Sequence, residues 1–234
     1  MSFIDWLLRR RRLEPGQAVR LEAWQALPES ALDAPHAEQR FMVVDVESTG
    51  LDVLNDRLIA IGAVAVENSR IALDGGFYRV LRQDRPSAPE NILVHGIGGT
   101  AQTAGDEPAA VLLDFLEYIG KSPLVGYHAQ FDDIMIRKAL RRYLGTGFRR
   151  TWLDLAYLAP AICPETSPQP RGLDDWLEAF GIVNYSRHDA LADSLASAQL
   201  LLVLMSRAGR AGRMGTADLV EGAKSVEWLS RQRR

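Results

Sequence analysis

The chain has 234 residues, a formal net charge of -3 and a hydrophobic content of 47%. This length fits one α/β domain with extensions, and the apolar content excludes a generally disordered chain. The slightly negative charge excludes a protein that coats nucleic acid, because such a protein needs a broadly basic surface.

Residues 1–39 are predicted to form an accessory segment before the main domain. Three prolines interrupt this segment, and no strong periodicity lies between them. Its first residues, SFIDWLLRRRR, place an acid before a short apolar run and arginines after it, which is the wrong order for a secretory signal. We interpret this run as a short helix packed on its own domain, with docking on a membrane surface or a partner as the alternative.

The first candidate strand is the apolar run FMVVDVE. Residues two apart on a strand point to the same face, so Asp45 and Glu47 project together from its C-terminal end. Two adjacent carboxylates repel, and hard oxygen ligands of this kind suit Mg²⁺ or Mn²⁺. The STG sequence that follows predicts a turn, in which Gly50 allows tight backbone geometry. Taken alone, an Asp-x-Glu pair at a strand end is also common without a catalytic role.

The next segments predict a mixed α/β sheet. Two strand-like runs, RLIAIGAVAV and RIALDGGFYRVLR, are separated by a polar turn at residues 67–69 and predict an antiparallel meander. A helix (AVLLDFLEYIG), a strand (LVGYH) and an amphipathic helix beginning at Asp132 follow. An acid at a helix start is favoured by the helix dipole, so Asp132 alone could be a cap. Antiparallel neighbours followed by strand–helix units indicate a mixed sheet.

His188 and Asp193 lie at the start of the last long helix. The run RHDALADSLASAQLLLVL predicts a helix from Leu191 onward, capped by Ser186 or Asp189. On a continuous helix His188 and Asp193 would be about 140° apart and could not share a face. We therefore place His188 on the preceding loop, as a movable base, and Asp193 on the helix, as a fixed ligand. A solvent-exposed loop histidine is the alternative for His188.

The remaining segments carry less information. Prolines predict a loop over ICPETSPQPRG, and a short helix, LDDWLEAFGI, ends at Gly181. The tail from Arg207 is rich in glycine and charge, and a terminal helix is predicted only over residues 219–229. No apolar stretch approaches the roughly 20 residues that span a bilayer. The single cysteine, Cys163, cannot form an internal disulfide, which favours a reducing cytoplasm.

Together these residues resemble the DEDDh family of 3′-to-5′ exonucleases, which includes the proofreading epsilon subunit of bacterial DNA polymerase III. The resemblance covers about residues 40–205, and the segment VHGIGGT is similar to the family segment that carries a substrate-contacting histidine, here His95. In one departure, His128 stands where the second motif usually has Asn. The five signature positions occur in the family's order, as Asp45, Glu47, Asp132, His188 and Asp193.

The resemblance implies a ribonuclease H-like fold over residues 40–205, followed by a C-terminal extension over residues 206–234. It implies two ions, Mg²⁺ or Mn²⁺, which in such sites clamp the attacking and leaving oxygens. Asp45 would bridge the two ions, Glu47 and Asp193 would complete the site of one, and Asp132 would hold the other. His188 would take the proton of the attacking water.

The resemblance also implies that the substrate is a single-stranded 3′ end, with DNA as the leading candidate. The implied products are nucleoside 5′-monophosphates. A replication or repair protein is a candidate partner, and the oligomeric state is not predicted. The open alternatives are an RNA-trimming or oligoribonuclease-like enzyme and a polymerase or repair-complex binding subunit. Clustered carboxylates are costly without a metal, which argues against an inactive domain. The implied substrate contacts are Ser48, Thr49, Gly50, His95 and His128.

Overall fold

The computed structural model describes residues 13–166 and 172–232. The strands are β1 (Phe41–Ser48), β2 (Leu58–Glu67), β3 (Arg70–Val80), β4 (Leu124–Gly126) and β5 (Trp152–Asp154). The described helices are α1 (Pro15–Gln25), α2 (Pro89–His95), α3 (Gly99–Thr103), α4 (Pro108–Ile119), α5 (Gln130–Tyr143), α6 (Leu155–Ile162), α7 (Leu173–Ala179), α8 (Ala190–Arg210) and α9 (Thr216–Gln232).

One five-stranded sheet, in the order β3-β2-β1-β4-β5, forms the centre of the fold. Strands β1, β2 and β3 are antiparallel neighbours, whereas β4 and β5 continue the sheet in parallel with β1. Asn68 and Ser69 join β2 to β3 with φ angles of 51° and 56°, the left-handed geometry that a two-residue hairpin turn requires. The predicted antiparallel meander and mixed sheet are therefore confirmed.

Alternation along β1 decides which face each side chain meets. Met42 and Val44 point into a core shared with α4 and α5, whereas Phe41 and Val43 point into a second core shared with α6 and α8. Side chains two apart on a strand share a face. Asp45 and Glu47 continue the odd-numbered series, so they project from the end of β1 toward the face that α8 covers.

Helix α8 lies directly on β2 because Gly62 has no side chain. A Cβ at Gly62 would lie 2.2 Å from the backbone carbonyl of Ala190 and 2.4 Å from the nitrogen of Leu191. Ser194 Oγ also donates a hydrogen bond of 3.0 Å to the Gly62 carbonyl. Close approach of another backbone is one reason for a glycine inside a strand. This contact fixes the first turns of α8 beside β1.

By length and composition alone, the 21-residue helix α8 is long and apolar enough to cross a membrane. Its apolar residues belong to the core, where Ala196, Leu200 and Leu204 are buried against the sheet and its covering helices. Packing against the sheet therefore accounts for the apolar composition of this helix.

Several short elements were not predicted. Helix α1 lies in the segment that showed no periodicity, and it docks on α4 through buried Leu21 and Trp24. Trp24 Nε1 donates to the carbonyl of Gly120 at 2.8 Å. Helices α2, α3 and α6 and strand β5 were also missed, and α9 is longer than the predicted terminal helix. The N-terminal run SFIDWLLRRRR and part of the proline-rich loop lie outside the described residues.

Candidate metal centre and active site

Three carboxylates from two distant segments converge at the C-terminal end of β1. Asp45 and Glu47 of β1 and Asp193 of α8 each bring one oxygen within 4.8 Å of the other two. Glu47 is 9% exposed and Asp193 is 4% exposed, so water screens their charges poorly. Hard oxygen donors without cysteine or histidine suit Mg²⁺ or Mn²⁺ better than zinc. This donor set fits a divalent cation.

Burial and the charges of neighbouring carboxylates oppose ionisation of Asp45 and Glu47. Burial, together with the charges of Asp45 and Asp193, raises the pKa of Glu47 to about 9. Burial likewise raises the pKa of Asp45 well above its usual range, with the charge of Asp132 as the next cause. A cation placed among such carboxylates favours their charged forms and reverses both shifts.

Asp132 is a fourth acid beside the cluster. It lies in the first turn of α5, is 5% exposed, and its Oδ1 accepts a hydrogen bond of 3.1 Å from the backbone N–H of Val46. Burial raises its pKa well above the usual range. Its oxygens are not in the set that lies within 4.8 Å, yet its charge acts on Asp45. The predicted position of Asp132 at a helix start is confirmed.

His188 lies on the loop before α8, with an exposed side chain and a left-handed φ of 61°. Its backbone N–H donates to Asp193 Oδ2 at 3.0 Å. The helix begins at Ala190, and the side chain of Asp189 caps it. The predicted arrangement of a loop histidine and a helical aspartate is therefore confirmed, as is Asp189 as the cap.

Asp193 is held by side chains that the sequence analysis missed. Arg187 Nη1 lies 2.6 Å from Asp193 Oδ1, and the side-chain amide of Asn184 donates to the same oxygen. Arg187 Nε lies 2.7 Å from Asp174 Oδ1 on α7. The position of Arg187, immediately before the signature histidine, was the signal that could have identified it.

A second missed residue, Asp154, organises the loop before α5. Its Oδ1 accepts the backbone N–H of His128 at 3.0 Å and that of Ala156 at 3.0 Å. His128 has an exposed side chain and a left-handed φ of 58°. The signal for Asp154 was an acid at the end of the short strand WLD, directly before a helix.

The turn that follows Glu47 uses its hydroxyl groups internally. Ser48 Oγ donates to the carbonyl of Gly50 at 2.6 Å. Thr49 Oγ1 donates to Asp56 Oδ1 at 2.7 Å and accepts the backbone N–H of Arg57 at 2.9 Å. These bonds explain the residues as turn formers. Their contact with a substrate stays a prediction.

His95 ends helix α2 and is 7% exposed. Its Nδ1 accepts the backbone N–H of Ile97 at 3.0 Å, and its Nε2 lies 3.3 Å from Ser87 Oγ. Burial lowers its pKa, which favours the neutral imidazole. Both ring nitrogens thus have partners within the protein, and contact of His95 with a nucleotide stays a prediction.

Comparison with known proteins adds a family and a fold. The RNase_T family, described as exonuclease, matches residues 42–201. The PolC-type DNA polymerase III of Thermotoga maritima is 26% identical over 85% of this chain, which covers 14% of that polymerase. The DNA polymerase III subunit epsilon of Aquifex aeolicus is 29% identical over 70% of this chain and 80% of that subunit.

A solved structure gives the fold independently. Exonuclease I of E. coli in complex with a dA16 oligonucleotide has a TM-score of 0.63 and 20% sequence identity, over 74% of this chain and 42% of that chain. At this identity the likeness concerns the fold alone. The mixed sheet flanked by helices matches that fold, which confirms the predicted ribonuclease H-like architecture.

Proposed function

Because the chain belongs to the RNase_T exonuclease family, we propose that it is a metal-dependent 3′-to-5′ exonuclease. It would act on the 3′ ends of single strands, with DNA as the preferred substrate, and release nucleoside 5′-monophosphates. The observation that carries this proposal is the convergence of Asp45, Glu47 and Asp193, with ligand oxygens within 4.8 Å of one another, next to the loop of His188.

The four acids would hold two divalent cations. Asp45 would serve both, Glu47 and Asp193 would complete one site, and Asp132 would hold the other directly or through water. When bound, the cations would supply positive charge to the attacking and leaving oxygens of an in-line displacement. The choice of Mg²⁺ or Mn²⁺ is supported by the all-carboxylate donor set.

His188 would act as the general base. The oxygen of a water molecule forms a bond to phosphorus, and the bond from phosphorus to the 3′ oxygen breaks. The water's proton passes to the imidazole of His188, and the leaving 3′ oxygen gains a proton from solvent. The exposed loop position of His188 supports this role, because the ring can reach the water and then release its proton to solvent.

Substrate contacts, partners and location complete the proposal. Residues 48–50, which follow Glu47, and the exposed His128, on the loop before α5, would meet the terminal nucleotide, with His95 supporting this region. The names of the Thermotoga and Aquifex relatives support a replication or repair partner. The free, buried Cys163 supports a reducing cytoplasm. Residues 1–39 and 206–234 would be extensions around the exonuclease domain at residues 40–205.

A degradation assay tests the proposal directly. Labelled DNA and RNA oligonucleotides, with free or blocked 3′ ends, are incubated with the full chain and Mg²⁺, Mn²⁺ or a chelator. We expect metal-dependent shortening from free 3′ ends only, with mononucleotide products and faster loss of DNA. Faster loss of RNA would favour the trimming enzyme, and cleavage of blocked strands would contradict the exonuclease.

Variants complete this assay. Asp45→Ala should abolish shortening, and His188→Asn should lower its rate at least about 10²-fold, the usual contribution of a general base. Asparagine tolerates the left-handed backbone at this position, so the loop is preserved. Asp74→Asn, at an exposed acid of β3, is the matched control and should retain full activity. Unchanged activity in both site variants would refute the proposal.

A further inference from the structure

Arg187 connects a buried carboxylate to an exposed one. Its Nη1 lies 2.6 Å from Asp193 Oδ1, and its Nε lies 2.7 Å from Asp174 Oδ1. The side chain of Asp193 is 5% exposed, whereas that of Asp174 is 66% exposed. The planar guanidinium presents its donors as a rigid fork, which lets one arginine serve two carboxylates at once. The two ends of this bridge therefore lie in different environments.

The inner end of the bridge competes for a metal-binding oxygen. Arg187 and the amide of Asn184 both donate to Asp193 Oδ1, and the backbone N–H of His188 donates to Oδ2. Asp193 is also one of the three carboxylates that could hold a cation. A divalent cation that binds Oδ1 must therefore displace N–H donors, and the most strongly bound of them carries a positive charge.

The charge of Arg187 reaches the whole cluster. Burial and the neighbouring carboxylates raise the pKa of Asp45 and of Glu47, and the positive charge of Arg187 opposes that rise at both residues. An arginine that remained beside two additional divalent cations would repel them. The exposed Asp174 offers the guanidinium a partner outside the cluster, where solvent screens the charge.

We propose that Arg187 is a positioning residue that neutralises Asp193 while no metal is bound. When a divalent cation binds Asp193, the guanidinium of Arg187 leaves Asp193 and pairs with Asp174 alone. The inference rests on the proposed metal centre, and it deepens that proposal by identifying the residue that sets metal affinity. The contact between Arg187 and Asp193 must open before metal binds. The apparent metal affinity is therefore the intrinsic affinity multiplied by the fraction of molecules in which this contact is open.

Calorimetric titration with Mn²⁺ of the chelator-treated, dialysed full chain tests this role. Arg187→Gln should bind Mn²⁺ about tenfold more tightly, as expected if the closed contact is populated about ten times as often as the open one. The same variant should unfold at a lower temperature in the presence of chelator, because buried Asp193 loses its cationic partner. A purely structural role would lower affinity and stability together.

Two variants test the two ends of the bridge separately. Asp174→Asn removes only the exposed partner, so the guanidinium should favour Asp193 more strongly and Mn²⁺ should bind more weakly. Arg187→Lys retains the charge but loses the fork, and its Mn²⁺ affinity should lie between those of the wild type and Arg187→Gln. These two variants also keep the proposal testable if Arg187→Gln does not fold.

Unchanged or weaker Mn²⁺ binding by Arg187→Gln, or tighter binding by Asp174→Asn, would overturn the proposal for Arg187 alone. The Mn²⁺ affinity of Asp193→Asn tests the metal centre itself. Unchanged Mn²⁺ affinity in that variant would overturn both the metal centre and the role of Arg187, whereas lost binding supports the centre on which the inference rests.

Discussion

His128 and His188 share one backbone conformation and one means of holding it. Their φ angles are 58° and 61°, in the left-handed region that residues other than glycine rarely adopt. The backbone N–H of His128 donates to Asp154 Oδ1, and that of His188 donates to Asp193 Oδ2, both at 3.0 Å. Such conformations persist only where surrounding contacts hold them. An aspartate therefore fixes the backbone of each of the two histidines.

Replacement of His128 by a β-branched residue should destabilise the protein. We expect His128→Val to lower the free energy of unfolding by about 1–2 kcal/mol, because a branched Cβ is most strained in the left-handed region. His128→Asn should cost much less, since asparagine tolerates that region. Urea denaturation followed by circular dichroism measures the difference, and equal stability of the two variants would contradict the strain argument.

Loss of the Asp154 carboxylate should disturb two backbone segments together. Asp154→Ala removes the acceptor for the N–H groups of His128 and Ala156, and we expect a loss of about 1–2 kcal/mol. Asp154→Asn retains an oxygen acceptor and should lose less. The test is thermal unfolding of both variants, and a smaller loss in the alanine variant would rule out this role.

Gly62 should tolerate no side chain. In Gly62→Ala the added methyl would lie 2.2 Å from the Ala190 carbonyl, so α8 must move away from β2 and carry Asp193 with it. We expect a stability loss of about 1–3 kcal/mol, as for other overpacked cores, and weaker Mn²⁺ binding. The matched control is Gly76→Ala on β3, whose Cβ would meet the flexible end of Leu191 at 3.3 Å and Val64 Cγ1 at an ordinary contact distance of 3.9 Å.

This control separates the effect of the close contact at Gly62 from the general effect of replacing a strand glycine by alanine. Gly76→Ala should retain both stability and Mn²⁺ affinity, because the leucine side chain can shift by a few tenths of an ångström. If Gly62→Ala behaved like Gly76→Ala in denaturation and in calorimetry, close backbone contact would not be what positions Asp193.

The chelator-treated protein should lose stability as pH rises. The pKa of Glu47 is about 9 in the folded protein against an ordinary 4.5, so between these values the folded state holds a proton that the unfolded state has released. The free energy of unfolding must therefore fall from about pH 4.5 to about pH 9. Glu47→Gln removes the contribution of Glu47 to this dependence, leaving those of Asp45 and Asp132, and should add up to about 3 kcal/mol at pH 7.

Denaturation across this pH range, with exposed Glu178→Gln as the control, checks the sign. Because a carboxylate must lose its proton to bind a cation, Mn²⁺ binding by the wild type at neutral pH should release protons. Titrations in buffers of different ionisation enthalpy measure that release. Stability that rises with pH in the wild type and not in Glu47→Gln would contradict the raised pKa.

The parts of the site that follow strict local rules were predictable from the sequence. The two-residue repeat of a strand placed Asp45 and Glu47 on one face. The five-residue spacing between His188 and Asp193 excluded a single helical face, and the structure has the loop-and-helix arrangement that remained. These predictions needed only the geometry of regular elements.

Contacts between distant segments were not predictable in the same way. Helix α1 begins at Pro15 and is stabilised by Trp24 against α4, so its stability comes from packing rather than from a periodic pattern. The bridge from Arg187 to Asp174 joins α7 to the loop before α8. The offset of Asp132 from the other three acids likewise depends on how α5 packs against the end of β1.

The docking of α8 on Gly62 also sets when the carboxylate cluster can first form during synthesis of the chain. A ribosome-bound chain that ends before α8 carries Asp45, Glu47 and Asp132 but lacks Asp193. Such a fragment lacks the third carboxylate of the cluster. The three carboxylates can therefore converge only after the 21-residue helix α8 has left the ribosome and packed onto the sheet.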